Sequence, residues 1–327
     1  MSRLFRDVDG GALCPHGSVV CIGAFDGLHL GHRALVRHAV SRARALELPA
    51  VALSFEPLPR EFFATGNKLP RLTLPRAKFE GLRDLGVDVI GLLRFNRALA
   101  AMDGEDFIRD VLVARLGAKE VWVGPEFRFG HQRQGDIGTL HRLGDELGFA
   151  ANEIAPIQLD DERVSSTRIR TALSDGQFAT AARLLGRPYA IDGRVVRGKQ
   201  LGRTLGYPTA NLRFAHKTPA LSGIYATWVH GVGSERWPSV SSFGTRPTVD
   251  GIEPVLEAHL FDFDGDLYGQ RIAVEFVAKL RDEEKFPDLP TLVTQMHRDS
   301  EQARHMLVPE QEPAHPCADF PQQAAQR

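Results

Sequence analysis

Three runs of this sequence combine residue types that can handle phosphate. The first is Gly23-Ala24-Phe25-Asp26-Gly27-Leu28-His29-Leu30-Gly31-His32. Its glycines at 23, 27 and 31 let the backbone turn tightly and approach a ligand closely. A helix that begins inside the run directs its free N–H groups and positive dipole end at the loop, where an anion can sit. His29 and His32 are three residues apart, on one face of that first turn, and can donate to phosphate oxygens. As a metal pair they lack a third Cys, His or carboxylate at a telling spacing. The second run, Ser165-Ser166-Thr167-Arg168-Ile169-Arg170, opens a helix with three hydroxyl residues and two arginines. Alone it reads as an N-cap followed by solvated charge; beside the first run it offers donors for a triphosphate.

The third run extends from Gly198 to Asn211. Glycines at 198, 202 and 206 describe a loop able to close over phosphates, although the GxxxxGK[ST] spacing of a P-loop is not met. Thr209 and Asn211, two apart, project to one side of a strand and bring hard oxygen ligands suited to Mg²⁺. Without further context, a strand-edge turn explains the same residues.

Alternating strand and helix patterns position the first two runs. Ser18–Ile22 and Ala50–Phe55 read as buried strands, followed by strands at Val87–Phe95, Glu120–Gly124 and Glu153–Ile157. Leu35, Val36, Ala39, Val40, Ala43 and Leu46 recur at helical spacing, and further helices are expected at Glu105–Leu116 and Ile137–Leu147. Such alternation implies right-handed crossovers, a parallel sheet covered on both faces, and ligands beyond the carboxyl ends of its strands. After about Gly186 the pattern changes. Tyr189–Val196, Gly223–His230, Trp237–Phe243, Val255–Phe263 and Gln270–Val277 are strand-like with no crossover helices between them, as in an antiparallel barrel. A helix over Leu289–Met306 is expected to close it, with Leu292, Val293 and Met296 facing inward. The segment from Pro309 to Arg327 lacks periodicity and is expected to be disordered. The expected organisation is therefore 1–186, 187–308 and a tail at 309–327.

Composition narrows the function classes. The 327 residues are 43% hydrophobic and 25% charged, enough for two cores, and the formal net charge of -1 argues against non-specific nucleic-acid binding. Three scattered cysteines give no disulfide framework, and Cys21 reads as a small core hydrophobe. No apolar run reaches the length of a membrane span and the N-terminus does not read as a signal peptide, so a cytoplasmic protein is expected. Oligomeric state is left open.

The motif GxFDGxHxGH, followed far downstream by SSTRIR, resembles the nucleotidylyltransferase half of the bacterial bifunctional riboflavin kinase/FMN adenylyltransferase family. Phe55-Glu56-Pro57, Phe95–Met102, and Val123–Gly130 with Arg133 and Gly135-Asp136 agree with it. In the second half, Gly202-Arg203-x-x-Gly206-Tyr207-Pro208-Thr209-Ala210-Asn211 resembles the riboflavin kinase signature. Phe243–Thr248, Leu256–His259 with Asp262–Gly269, and Arg281–Phe286 match as well. The resemblance covers Val19 to about Arg304. It implies a Rossmann-like nucleotidylyltransferase domain and a kinase barrel, with ATP as co-substrate, Mg²⁺ bridging its phosphates, and flavins as substrates and products. By resemblance, riboflavin is phosphorylated to FMN, and FMN attacks the α-phosphorus of ATP to give FAD and pyrophosphate. Gly23, Phe25, Asp26, Gly27, His29 and His32 would bind ATP, with the histidines stabilising the phosphates, and Ser166, Thr167 and Arg170 would hold the pyrophosphate end. Glu126, Phe127 and Arg128 are candidates for the FMN side. In the barrel, Gly198, Gly202, Gly206, Thr209 and Asn211 would bind ATP, the last two also Mg²⁺, and Glu257 would be the general base. Arg281 and Phe286 are candidates for riboflavin. The family usually carries Asp or Asn where Glu126 stands, His where Leu58 stands and Asn where Ser242 stands.

Overall fold

The structure, a computed structural model, describes residues 2–65, 69–198, 202, 205–214, 217, 219–248 and 251–308. The tail expected from Pro309, and residues 199–201, 203 and 204 of the glycine-rich loop, lie outside the described residues. Six short strands form the first sheet: β1 (Arg3–Phe5), β2 (Ser18–Ile22), β3 (Ala50–Glu56), β4 (Val89–Arg94), β5 (Ala118–Val123) and β6 (Ala150–Glu153). All their pairings are parallel, in the order β1-β4-β3-β2-β5-β6. Parallel neighbours need crossovers. α1 (Leu30–Ala45) joins β2 to β3, and α2 (Pro59–Phe62) and α3 (Pro75–Asp84) join β3 to β4. Between β4 and β5 come α4 (Arg97–Ala101), α5 (Gly104–Asp106) and a π-helical stretch, Phe107–Arg115, while α6 (Ile137–Leu147) precedes β6.

The alternation of side chains along β2 serves two cores at once. Val19 and Cys21 pack with Leu35, Val36, Ala39 and Ala43 of α1, whereas Val20 and Ile22 pack with Ile108, Val111, Leu140 and Leu143 on the opposite face. Cys21 is the core residue expected of it, and burial pushes its thiol up to about 12. One strand of this sheet departs from expectation. β6 occupies Ala150–Glu153, because Gly148 closes α6 in the left-handed region (φ 79°) and the chain re-enters the sheet at once. The apolar residues from Ile154 to Ile157 that suggested a strand there line a cleft instead.

The strand order reverses between β2 and β5, so the loops leaving these two strands diverge and open a crevice beyond their carboxyl ends. Two further helices, α7 (Ser166–Ser174) and α8 (Phe178–Leu185), follow a small hairpin of β7 (Gln158–Leu159) and β8 (Glu162–Arg163).

The second half is a closed antiparallel barrel. Its strands are β9 (Ala190–Val196), β10 (Ala210–Arg213), β11 (Gly223–Val232), β12 (Glu235–Thr248), β13 (Gly251–Leu260) and β14 (Arg271–Arg281), in the order β10-β13-β12-β11-β14-β9. β13 stops short of Phe263, where Asp262 enters the left-handed region (φ 56°) and turns the chain. α9 (Leu289–Met306) begins on Asp288, whose carboxylate accepts from the Thr291 N–H at 2.8 Å. Its fully buried positions are Asp299, Ser300 and Ala303; Leu292, Val293 and Met296 are only half-buried. Leu292 and Met296 fall there because the first turns of α9 roof a cleft. One apolar cluster joins the halves: Ile169, Leu173, Phe178, Leu184 and Leu185 pack with Tyr189, Tyr225 and Phe276 of the barrel side.

Candidate active sites

The loop from Gly23 to His29 is held from behind. Lys78 donates to the carbonyl of Ala24 at 2.9 Å, Ser166 Oγ to that of Asp26 at 2.9 Å, and Arg187 to those of Gly27 and Leu28 at 2.9 and 3.2 Å. With its carbonyls occupied, the loop is fixed ahead of any ligand, and the first N–H groups of α1 remain without intrahelical partners. His29 is the N-cap of α1, its Nδ1 accepting from the His32 N–H at 3.3 Å, which leaves Nε2 as the donor of the neutral ring. The His29 and His32 rings stack at 3.6 Å. Gly31 leaves room for this ring, since a Cβ would stand a tight 3.3 Å from the His29 imidazole.

A cleft of about 420 Å³ lies over this loop. Gly23, Asp26, His29, His32, Ser166, Thr167 and Arg170 all line it, as do Glu126, Phe127 and Arg128 from the loop after β5. Phe25 and Gly27 do not. Phe25 is wholly buried, edge-on to the His32 ring at 5.4 Å, and Gly27 donates to Thr73 Oγ1 on the far side of the loop. Asp26 reaches the cleft at one remove. Its carboxylate accepts from the N–H groups of Leu72 and Thr73 and from Arg170 at 2.5 Å, so it aims that guanidinium.

Burial, followed by the nearby guanidiniums of Arg163, Arg170 and Arg187, lowers His29 to about 4, and burial likewise holds His32 well below its ordinary value. Both imidazoles are therefore neutral donors at pH 7. In the unfolded chain His29 takes up its proton near 6.5, so fold stability is expected to fall as pH drops from about 6.5 to about 4. His29→Asn keeps a capping acceptor and removes the titration. Denaturant melts across that range should show a shallower fall for the variant, and identical slopes would count against a buried neutral His29.

In the barrel, β10 and β13 put Asn211 directly opposite Glu257, and β12 places Ser242 opposite Glu257 on its other side. Thr209 Oγ1 donates to Glu257 Oε2 at 3.2 Å, and Asn211 Nδ2 lies 3.2 Å from Thr209 Oγ1. Asn211 is buried, and its Oδ1 has no hydrogen-bond partner. A Cβ on Gly198, just beyond β9, would stand 2.6 Å from that oxygen, so any larger residue there would force the Asn211 side chain to shift.

Thr209 and Asn211 form a wall between two clefts. One, about 300 Å³, is bounded by Gly198 and the polar turn Asp264–Tyr268. The other, about 480 Å³, lies under α9 and holds Gly202, Glu257, Arg281 and Phe286 together with Tyr207, Ile224 and Met296. Gly206 lies outside both, near Tyr207 and His297. Arg281 is largely committed. Its Nε and Nη2 engage the buried Asp299 of α9 at 3.0 and 2.8 Å while its guanidinium lies 5.5 Å from the Phe286 ring. Among the described residues no group of three or more His, Cys, Asp or Glu could hold a metal ion.

The chain matches the FAD synthetase family model over residues 12–168 and the riboflavin kinase model over 185–307. A crystal structure from Streptococcus pneumoniae, described as a macrolide-efflux protein, superposes with TM-score 0.75 at 31% identity, covering 93% of this chain and 98% of that one. The described residues contain no helix long and apolar enough to cross a membrane. The bifunctional riboflavin kinase/FMN adenylyltransferase of Haemophilus influenzae is 39% identical over 92% of this chain and 98% of its own length. That of Escherichia coli (strain K12) is 43% identical over 93% and 98%. The chain belongs to the bifunctional riboflavin kinase/FMN adenylyltransferase family.

Against that family's usual pattern, all three departures line clefts. Leu58 is buried at the edge of the N-terminal cleft, and Ser242 stands beside Glu257. Glu126 has φ 61°, a left-handed backbone that, glycine aside, Asn and Asp tolerate best, which gives a physical reason for the usual residue. Its ion pair with Arg163 at 3.0 Å is largely exposed and compensates little. Glu126→Asn should therefore raise the unfolding free energy by about 0.5–1 kcal/mol. Urea melts would show this as a higher midpoint, and an unchanged or lower one would contradict the strain. Arg163, Arg187 and Lys78 went unnoticed in the sequence. Each is a basic residue outside any motif, with nothing at a fixed spacing to single it out.

Proposed function

We propose that the two activities of this bifunctional riboflavin kinase and FMN adenylyltransferase are divided between its halves, adenylyl transfer in residues 1–186 and phosphorylation in 187–308. The observation that carries this reading is the segregation of the two residue sets: His29, His32, Ser166, Thr167 and Arg170 around one cleft, and Thr209, Asn211 and Glu257 at the partition of two others. In the barrel, ATP takes the polar cleft beside Gly198 and riboflavin the cleft under α9. The ribityl hydroxyl then meets the γ-phosphate at the Thr209–Asn211 wall. Glu257 accepts the hydroxyl proton as the oxygen bonds to phosphorus and ADP leaves. Thr209 Oγ1 and the unpartnered Asn211 Oδ1 fit Mg²⁺, which supplies charge neutralisation on the phosphates when bound.

In the first half, an FMN phosphate oxygen bonds to the α-phosphorus of ATP and the bond to pyrophosphate breaks. Neutral His29 and His32 donate to the phosphate oxygens where charge builds, and Ser166, Thr167 and Arg170 bind the leaving pyrophosphate. Glu126, Phe127 and Arg128 lie on the FMN side, and Phe286 packs near riboflavin. Cys14 and Cys21, both free and buried, are in keeping with a cytoplasmic setting. Purified protein given riboflavin, ATP and Mg²⁺ should yield FMN and then FAD on chromatography. FMN alone would remove adenylyl transfer from the reading, and no product would remove both activities.

A further inference from the structure

A buried charge network runs from the barrel half to the N-terminal cleft. Lys217, in the connector between β10 and β11, places its ammonium 2.8 Å from Glu56 Oε1 and 2.8 Å from Glu61 Oε1. Both carboxylates also hold Arg71, which is wholly buried: Glu56 by a short contact and Glu61 at 2.9 Å. Arg71 Nε lies 4.0 Å from Asp26, and Asp26 binds Arg170. Arg71 and Pro219 pair backbone to backbone, which keeps the connector alongside. Three carboxylates thus pair with three cations, with the buried Lys78 ammonium also within reach of their charge, and the barrel half supplies one of the paired cations.

The carboxylates on this chain also shape the cleft wall. Glu61 Oε2 accepts from the Leu58 N–H at 3.3 Å, and Glu56 ends the strand that carries Phe55. Phe55, Leu58, Pro59 and Arg60 line the N-terminal cleft, as does Arg170. Withdrawing the Lys217 charge would leave Glu56 and Glu61 sharing Arg71 as their ion-pair partner, with the buried Lys78 ammonium acting on both from further off. Removing one partner from a buried pair is costly because the other is left uncompensated. The connection runs through groups in direct contact, each able to shift its neighbour.

We propose that Lys217 is a positioning residue for adenylyl transfer: from the barrel half, its ammonium fixes Glu56 and Glu61 and thereby the Phe55–Arg60 wall and the Arg71–Asp26–Arg170 chain. This rests on the assignment of adenylyl transfer to the N-terminal cleft. Wild-type protein that makes no FAD from FMN and ATP would defeat that assignment before any variant is compared. With wild-type activity present, Lys217→Met should lower kcat/KM for FAD formation about tenfold, chiefly through KM for ATP and FMN. Riboflavin phosphorylation should stay within about twofold of wild type, since no link of the network reaches Glu257. Lys217→Arg, which keeps the charge, should restore most of the loss. Glu61→Gln loosens the same ammonium from the other side and should reproduce the selective defect. The proposal is overturned if Lys217→Met leaves FAD formation unchanged, if both reactions fall equally, if Lys217→Arg is as defective as Lys217→Met, or if Glu61→Gln has no selective effect.

Discussion

Replacing Glu257 with glutamine is expected to slow conversion of riboflavin to FMN by roughly 10²–10⁴-fold, the usual worth of a positioned base. The substitution is nearly isosteric and leaves an oxygen to accept from Thr209 Oγ1, now 3.2 Å from the carboxylate, so the wall between the two barrel clefts should survive. It would remove the carboxylate proposed to take the ribityl proton. FAD formation from supplied FMN should be preserved, because His29, His32 and Arg170 line a separate cleft. Measuring each reaction by chromatography separates the outcomes. If the kinase step keeps its rate, Glu257 is not the base, and if both steps fall together the residue maintains the fold.

The mirror experiment is His32→Ala, which should cut FAD formation by about 10²–10³-fold through loss of a donor aimed at developing phosphate charge. The ring is stacked on His29 and edge-on to Phe25, so its removal also frees the His29 imidazole to turn. Riboflavin phosphorylation should continue at the wild-type rate. Wild-type FAD formation by the variant would transfer the phosphate-binding role to the loop N–H groups and Arg170, whereas a fall in both reactions would mean a folding defect.

Much of the architecture was readable because local signals agreed with packing. α6 and α9 fall at their expected limits, each opened by an aspartate cap, Asp136 and Asp288, and α6 closed by Gly148. The placement of β6 failed because a run of apolar residues can wall a cleft as readily as it fills a strand. The short β1 and β10 carry too few residues for any period to register. At the sites, residue type suggested a chemistry without the direction in which each group points. Asp26 sits in the motif like a ligand residue, yet its carboxylate is engaged with two backbone N–H groups and Arg170. Arg281 likewise spends its fork on Asp299, a buried acid that nothing in the periodicity of α9 distinguishes. Lys217 and Arg187 gain meaning only from partners more than 150 residues away.

The apolar cluster that joins α7 and α8 to the barrel bears on how the protein could be taken apart. By chain order these helices complete the first half; by packing, Phe178 stands ring to ring with Tyr225 and Phe276 of the second. A cut at the point where the sequence pattern changes would strip the cover from Leu173, Phe178 and Leu185 on one fragment and from Tyr225 and Phe276 on the other. Each fragment would carry a raw apolar face of the kind that drives aggregation. α7 also begins with the hydroxyls and arginines of the N-terminal cleft. One wall of the N-terminal cleft is thus anchored in the neighbouring barrel, and the two halves are closer to a graft than to beads on a string.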